Sequence, residues 1–271
     1  MAIVLFFYVK EMDAAELALR LDSLDGIGQV RKAGFEELSD RGAALIYLGR
    51  YEEAIAQFRR LQAAGFTGYA VCANLGTAFE LIGRNDSALY YIREAVRQNP
   101  AAHDGSEWIH VRILERKVAM DSGGKVSGPL LGVSFGEDAL PIAPPGIELS
   151  VLQDHLRYQL QERMHFVKPE DAIVGELLFE LGNTEAFLNS VECAVDLYDL
   201  AKEYGFTTPV FEERYAKLDG MTNKATILNA IHPATDQKAN WITWLFYSAL
   251  LALPLALIWG LWRWIRKRRA R

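Results

Sequence analysis

Gly132-Val133-Ser134-Phe135-Gly136 is the stretch of this chain whose spacing matches a catalytic nucleophile. In the G-x-S-x-G pattern the serine sits on a sharp strand-to-helix turn, exposed and activated by a histidine. Here PLLGVSFG has the character of a short strand, but EDALPIAPPG follows it and cannot open a long helix. No alternation of strands and helices surrounds it, and His155 and His165 merely lie downstream. A loop pinned by small residues is the expectation, with a membrane-bound serine hydrolase as the outlying alternative. His103, His110, His155, His165 and His232 show neither H-x3-H nor HExxH spacing, so no metal is expected. Cys72 and Cys193 lack zinc spacing and read as small core residues. No phosphate loop or dinucleotide fingerprint is present, so no cofactor is expected and the chain reads as a non-enzyme.

Glycine and alanine spacing sets the architecture. Gly42-x6-Gly49-x4-Ala54 recurs as Gly76-x6-Gly83-x4-Ala88, a shift of 34 residues at all three positions. In the second unit Leu75, Gly76 and Phe79 share one helix, and Ala88, Ile92 and Ala95 share a face of the next. Small Gly76 and Ala88 let the two helices approach. Gly83 is suited to a left-handed helix end, and Pro100 stops the second helix. In the first unit Gly42, Leu45, Gly49, Tyr51, Ala54 and Phe58 fit. Arg41 and Phe66 depart from the pattern, standing where Leu and Pro are usual.

These residues resemble the tetratricopeptide repeat family, whose unit is one antiparallel helix pair of this length. The resemblance covers about a third of the chain firmly. It implies stacked helix pairs that bind partners rather than catalyse. A fainter third unit is expected where Gly175 and Gly182 repeat the glycine spacing and Ala194, Tyr198 and Ala201 repeat the second helix. Aligned so, the interval from Gly182 to Ala194 is seven residues too long, which predicts a lengthened pair. Residues 106–120 read as a lone helix covering the open end of the second unit.

The expected fold is all-α: a short helical solenoid, a second helical block and a C-terminal transmembrane helix. Residues 1–35 form an apolar segment and leading helix, and 36–120 the repeats with their capping helix. The span 121–149, with six Gly and four Pro, reads as a linker. A second helical block follows over 150–220, with Ser150 as its N-cap. A juxtamembrane linker over 221–238, the span 239–262 and a basic tail 263–271 complete the chain.

In the repeat family the first helix of each pair lines a concave groove. By repeat position that groove takes Ser39, Ala43, Ile46 and Tyr47 from the first unit. The second gives Ala73, Thr77, Glu80 and Leu81, and the following helix Glu107, Val111 and Leu114. Ala43, Tyr47, Thr77, Glu80, Leu81 and Val111 are the contacts chosen for a protein or peptide partner. The paired cations with which some relatives clamp a terminal carboxylate are absent.

The net charge is −6, and the six cations after Trp262 leave −12 on residues 1–262. Such an acidic surface is a poor binder of nucleic acid. Residues 239–262 (ANWITWLFYSALLALPLALIWGLW) carry no charge, and as a helix of about 36 Å they suffice to cross a bilayer. Five of the six tryptophans flank or end this span as interfacial belts. The cations after it place the C-terminus in the cytoplasm and the repeats in a periplasm or exterior. Residues 2–9 (AIVLFFYV) resemble the apolar core of a truncated signal peptide, or else a buried first segment. A tail-anchored protein with cytosolic repeats is the alternative. Function is expected to be non-catalytic assembly of envelope complexes. The alternative is an interaction subunit of an integral membrane complex, held through Pro254, Ser248, Ala249, Ala252 and Ala256.

Overall fold

The computed structural model describes residues 34–124 and 127–231, the last nine as backbone only. Among these residues there are nine α-helices and no strand. They are α1 (Phe35–Tyr47), α2 (Tyr51–Ala63), α3 (Tyr69–Leu81), α4 (Asn85–Gln98), α5 (Glu107–Asp121), α6 (Leu149–Phe166), α7 (Ala172–Leu188), α8 (Val191–Glu203) and α9 (Pro209–Ile231). The described residues up to Met221 form one compact unit. No described helix is long and apolar enough to cross a membrane. The expected span 239–262, the basic tail and the apolar segment 2–9 lie outside the described residues.

The helices pair as α1 with α2, α3 with α4 and α7 with α8. Glycine makes each close approach. A Cβ on Gly42 would meet the Phe58 ring at 2.5 Å, one on Gly76 would meet Ile92 Cδ1 at 2.4 Å, and one on Gly182 would meet Tyr198 Cε1 at 2.4 Å. The partner stands sixteen residues after the glycine each time, and Ala54, Ala88 or Ala194 stands twelve after it. Gly182 is therefore the counterpart of Gly42 and Gly76, not of the helix-ending Gly49 and Gly83. The expected seven-residue insertion does not exist. The third pair keeps the spacing of the other two, and its extra length lies at the start of α7. Gly49 and Gly83 do end α1 and α3, with φ of 72° and 74°. Phe66, out of pattern in sequence, stacks on Phe35 at 4.8 Å.

Two apolar cores run through this unit. Leu45, Phe58, Leu75, Phe79 and Ile92 form the first, between α1 and α4. Leu156, Leu160, Leu177, Leu178, Tyr198 and Phe211 form the second, between α6 and α9. Helix α5 belongs to both, giving Leu114 to the first core and Ile109 and Ile113 to the second. It is a joint rather than a terminal cap, because apolar residues surround it on two sides.

The expected linker is also part of the core. The described residues between α5 and α6 are non-helical, yet Leu130, Leu131, Val133 and Phe135 are buried in the second core. Arg214 of α9, only 1% exposed, fastens the segment. Its guanidinium donates to the carbonyls of Gly136 at 3.0 Å and Asp138 at 2.9 Å, and to Asn183 Oδ1 at 2.8 Å. Glu176 holds the other end, accepting from Leu130 N at 2.7 Å and pairing with Arg116 at 3.2 Å. Backbone carbonyls of the segment thus obtain donors that the loop itself lacks.

Helix ends differ locally from expectation. Helix α6 begins at Leu149 with Glu148 as its N-cap, so Ser150 falls inside the first turn. Side-chain caps occur instead at Asp171, which accepts from Val174 N at 2.9 Å, and at Ser190, which accepts from Cys193 N at 3.1 Å. Helix α9 continues through part of the expected juxtamembrane linker, as far as Ile231. Cys72 is buried and Cys193 half-buried, and both are free thiols.

Candidate functional site

The first helices of the two N-terminal pairs present matching rows. Ala43 and Thr77, Ile46 and Glu80, and Tyr47 and Leu81 each stand 34 residues apart, and all six line one cavity of about 390 Å³. Ala73, Glu107 and His110 extend the wall. Helix α6 lies against it, adding Gln159, Glu162, Arg163 and Phe166. Five of the six chosen contacts therefore line this cavity. Val111 does not: α5 turns that position into the first core, where Val111 is half-buried. Leu114 is fully buried there, and Ser39 also stands outside the lining.

Glu80 is not a free contact. It is 9% exposed and three cations hold its carboxylate. Arg163 Nη1 approaches Oε1 at 2.7 Å, Lys117 Nζ approaches the same oxygen at 2.8 Å, and His110 Nε2 approaches Oε2 at 2.7 Å. Burial alone would push this carboxyl up. Arg163, His110 and Lys117 outweigh it and hold the group well below the usual carboxylate range. Burial opposes charge on His110 as well, but Glu80 and Glu107 on either side raise it above the ordinary imidazole value.

A second buried carboxylate lies beside the first. Glu107 Oε1 accepts from the Tyr69 hydroxyl at 2.9 Å and faces His103 Nδ1 at 2.7 Å. Its Oε2 has no hydrogen-bond partner, and His110 Nδ1 stands 3.6 Å from the carboxylate. At that length the pair is ionic rather than hydrogen-bonded. Burial pushes Glu107 up, yet His103 and His110 hold it far below its ordinary value. Glu107 in turn raises His103. For Tyr69, burial and then the Glu107 charge raise the hydroxyl steeply, so it stays protonated and acts as a donor.

A strained turn supplies His103. His103, Asp104 and Gly105 are consecutive left-handed residues, with φ of 51°, 54° and 78°. For the two non-glycine residues this costs on the order of 1 kcal/mol each. Helix α6 holds the turn. Tyr158 stacks on the His103 ring at 4.9 Å, and Gln159 Nε2 donates to Ser106 Oγ at 3.1 Å. His155 bridges Trp108 and the Asp104 carbonyl at 3.0 and 3.1 Å. An indole can only donate, so His155 Nδ1 accepts and Nε2 carries the hydrogen to Asp104.

In the sequence the histidines show no metal-ligand spacing. The spacing of Glu107 and His110, i and i+3 on α5, is the signal that these two share a side, whereas His103 is brought to them by the left-handed turn before the helix. Arg163 and Glu162 carried no such sign, since they arrive from a helix some eighty residues away from Glu80. Ser134 stands elsewhere. It is exposed, and its Oγ accepts from Gly136 N at 3.2 Å in a segment with no strand before it and no helix after it. Among the described residues no group of three His, Cys, Asp or Glu side chains is arranged to hold a metal ion. No family model, no curated protein and no solved structure matches this chain.

Proposed function

We propose that this chain is a membrane-tethered docking protein of the tetratricopeptide type, which holds a segment of a partner protein on the inner face of its helix pairs and performs no catalysis. What supports the reading is one observation above all: residues 34 apart on α1 and α3 line a common cavity. Repeated helix pairs expose such an inner face to recognise extended or helical segments. The tether is the uncharged span 239–262, and the cations after it favour a cytoplasmic C-terminus with the docking unit outside. Partners are then envelope proteins. The small residues Ser248, Ala249, Ala252 and Ala256 beside Pro254 favour a second reading, a subunit packed through its span into a membrane complex.

Site-specific photocrosslinking tests the docking face. With benzoylphenylalanine at Thr77 of the membrane-bound chain, a defined adduct is expected, and the same probe at exposed Tyr90 on α4 gives none. Equal adducts at both positions would refute the reading. Reporters fused before Trp241 and after Arg271 decide the orientation: activity outside at the first site alone is expected, and activity inside there would mean a tail-anchored dock.

A further inference from the structure

The charges around the cavity do not balance evenly, and the imbalance identifies a ligand. Every cation on its wall is already engaged. Arg163 and His110 are held by Glu80, as is Lys117 behind them, and His103 is held by Glu107. A phosphate or carboxylate ligand would find no uncommitted positive group there. The third carboxylate of the lining, Glu162, is exposed and has no ion pair or hydrogen bond among the described residues. It stands near enough to Tyr47, Tyr69, Tyr158 and His103 for its charge to raise each of them, after the larger effects of burial or of Glu107. Three aromatic rings, Tyr47, Tyr69 and Phe166, line the same space. Deeper in the wall, Glu107 keeps one oxygen without a hydrogen bond.

Aromatic rings beside an unpaired carboxylate are the chemistry that receives an organic cation. The cavity lies at the small end of the ~300–1,000 Å³ typical of ligand pockets, which suits one long side chain rather than a folded surface. We propose that it takes the lysine or arginine side chain of a partner segment, with Glu162 as counter-ion and Tyr47, Tyr69 and Phe166 as walls. The inference rests on the docking reading and adds to it the chemistry of the anchor. It also gives a use to the acidic balance of residues 1–262, which favours basic partners at the encounter stage.

Panning a phage-displayed library of random nonapeptides on the full-length chain in nanodiscs tests this. Wild type, Glu162→Gln and Thr77→Trp are run in parallel. Glu162 is exposed, so its substitution leaves the fold intact. Peptides selected on wild type are expected to carry Lys or Arg at one position, about tenfold enriched over those selected on Glu162→Gln. Selection of Leu- or Phe-anchored peptides, equal on wild type and Glu162→Gln, would overturn the cationic anchor and leave the docking face standing. Selection that Thr77→Trp does not diminish would mean the peptides bind elsewhere, and both readings would fall.

Discussion

Replacing Gly182 by alanine tests whether the third helix pair is built like the first two. The new Cβ would lie 2.4 and 2.7 Å from two ring carbons of Tyr198 and 3.2 Å from the Ala194 carbonyl. Ordinary contact begins near 3.4 Å, so the ring must retreat by about 1 Å. It has little room to do so. Tyr198 is fully buried, packs on Phe179 at 5.2 Å and Phe211 at 5.8 Å, and donates from its hydroxyl to Asn183 at 2.7 Å. Overpacking of this kind costs about 1–3 kcal/mol, and disturbing the hydrogen bond adds about 1. Helix propensity returns about 1 kcal/mol for the exchange of Gly for Ala. The net expectation is a loss of about 1–3 kcal/mol, or several degrees of Tm at ~2–4 °C per kcal/mol. Gly220 in α9 is the control: a Cβ there meets nothing within 4 Å, so Gly220→Ala should raise stability by up to about 1 kcal/mol. Urea unfolding of the full chain in detergent reads both. In a double-mutant cycle, Tyr198→Leu should remove most of the Gly182→Ala cost. A Gly182→Ala variant as stable as Gly220→Ala would refute the packing argument, and with it the register assigned to the third pair.

Three further outcomes are expected. Arg163→Met leaves Glu80 buried with fewer partners and should cost about 2–3 kcal/mol in urea unfolding, below the ~3–5 typical of broken buried pairs because Lys117 and His110 remain; an unchanged midpoint would count against the cluster as a structural tie. Glu180 is pushed up to about 8 by burial and then by Glu176. A carboxyl that holds its proton more tightly when folded contributes fully below its unfolded value near 4.5 and loses that contribution as pH rises toward 8. Glu180→Gln should therefore match wild type near pH 4 and exceed it by a few kcal/mol near pH 8; parallel pH profiles would contradict this. Arg214→Lys keeps the charge but loses the planar fork that spans three carbonyls and Asn183, so limited proteolysis within 127–148 should accelerate about tenfold, and an unchanged rate would show the loop is held by its apolar residues alone.

Local periodicity carried most of the first two helix pairs. The alignment of the third failed because Gly175 and Gly182 imitate a seven-residue spacing that belongs to a helix end. The discriminating residue is the one sixteen positions on, where Phe58, Ile92 and Tyr198 differ in type but share a role. Gly and Pro content marked 121–149 as a linker, although its buried Leu130, Leu131, Val133 and Phe135 were visible as apolar residues. What fastens it, Arg214 on backbone carbonyls more than seventy residues away, leaves no trace in local sequence. The same holds for the cavity. Repeat position brought Ala43, Tyr47, Thr77 and Leu81 to one wall, but the partners that commit Glu80 come from other helices.

The pair of Glu80 and Arg163 joins residues 83 positions apart. In an open array of helix pairs each unit touches only its neighbours, so units can be added, lost or unfolded one at a time. A long-range tie across the inner face removes that freedom. Inserting or deleting a 34-residue unit between α4 and α5 would carry Arg163 out of reach of its carboxylate, so the length of this array is fixed by chemistry rather than left to duplication. The tie also couples the α1–α4 core to the α6–α9 core during folding, and α6 must arrive before the inner face is complete. A chain emerging from synthesis would thus complete this inner face late, only after α6 has folded back on α3.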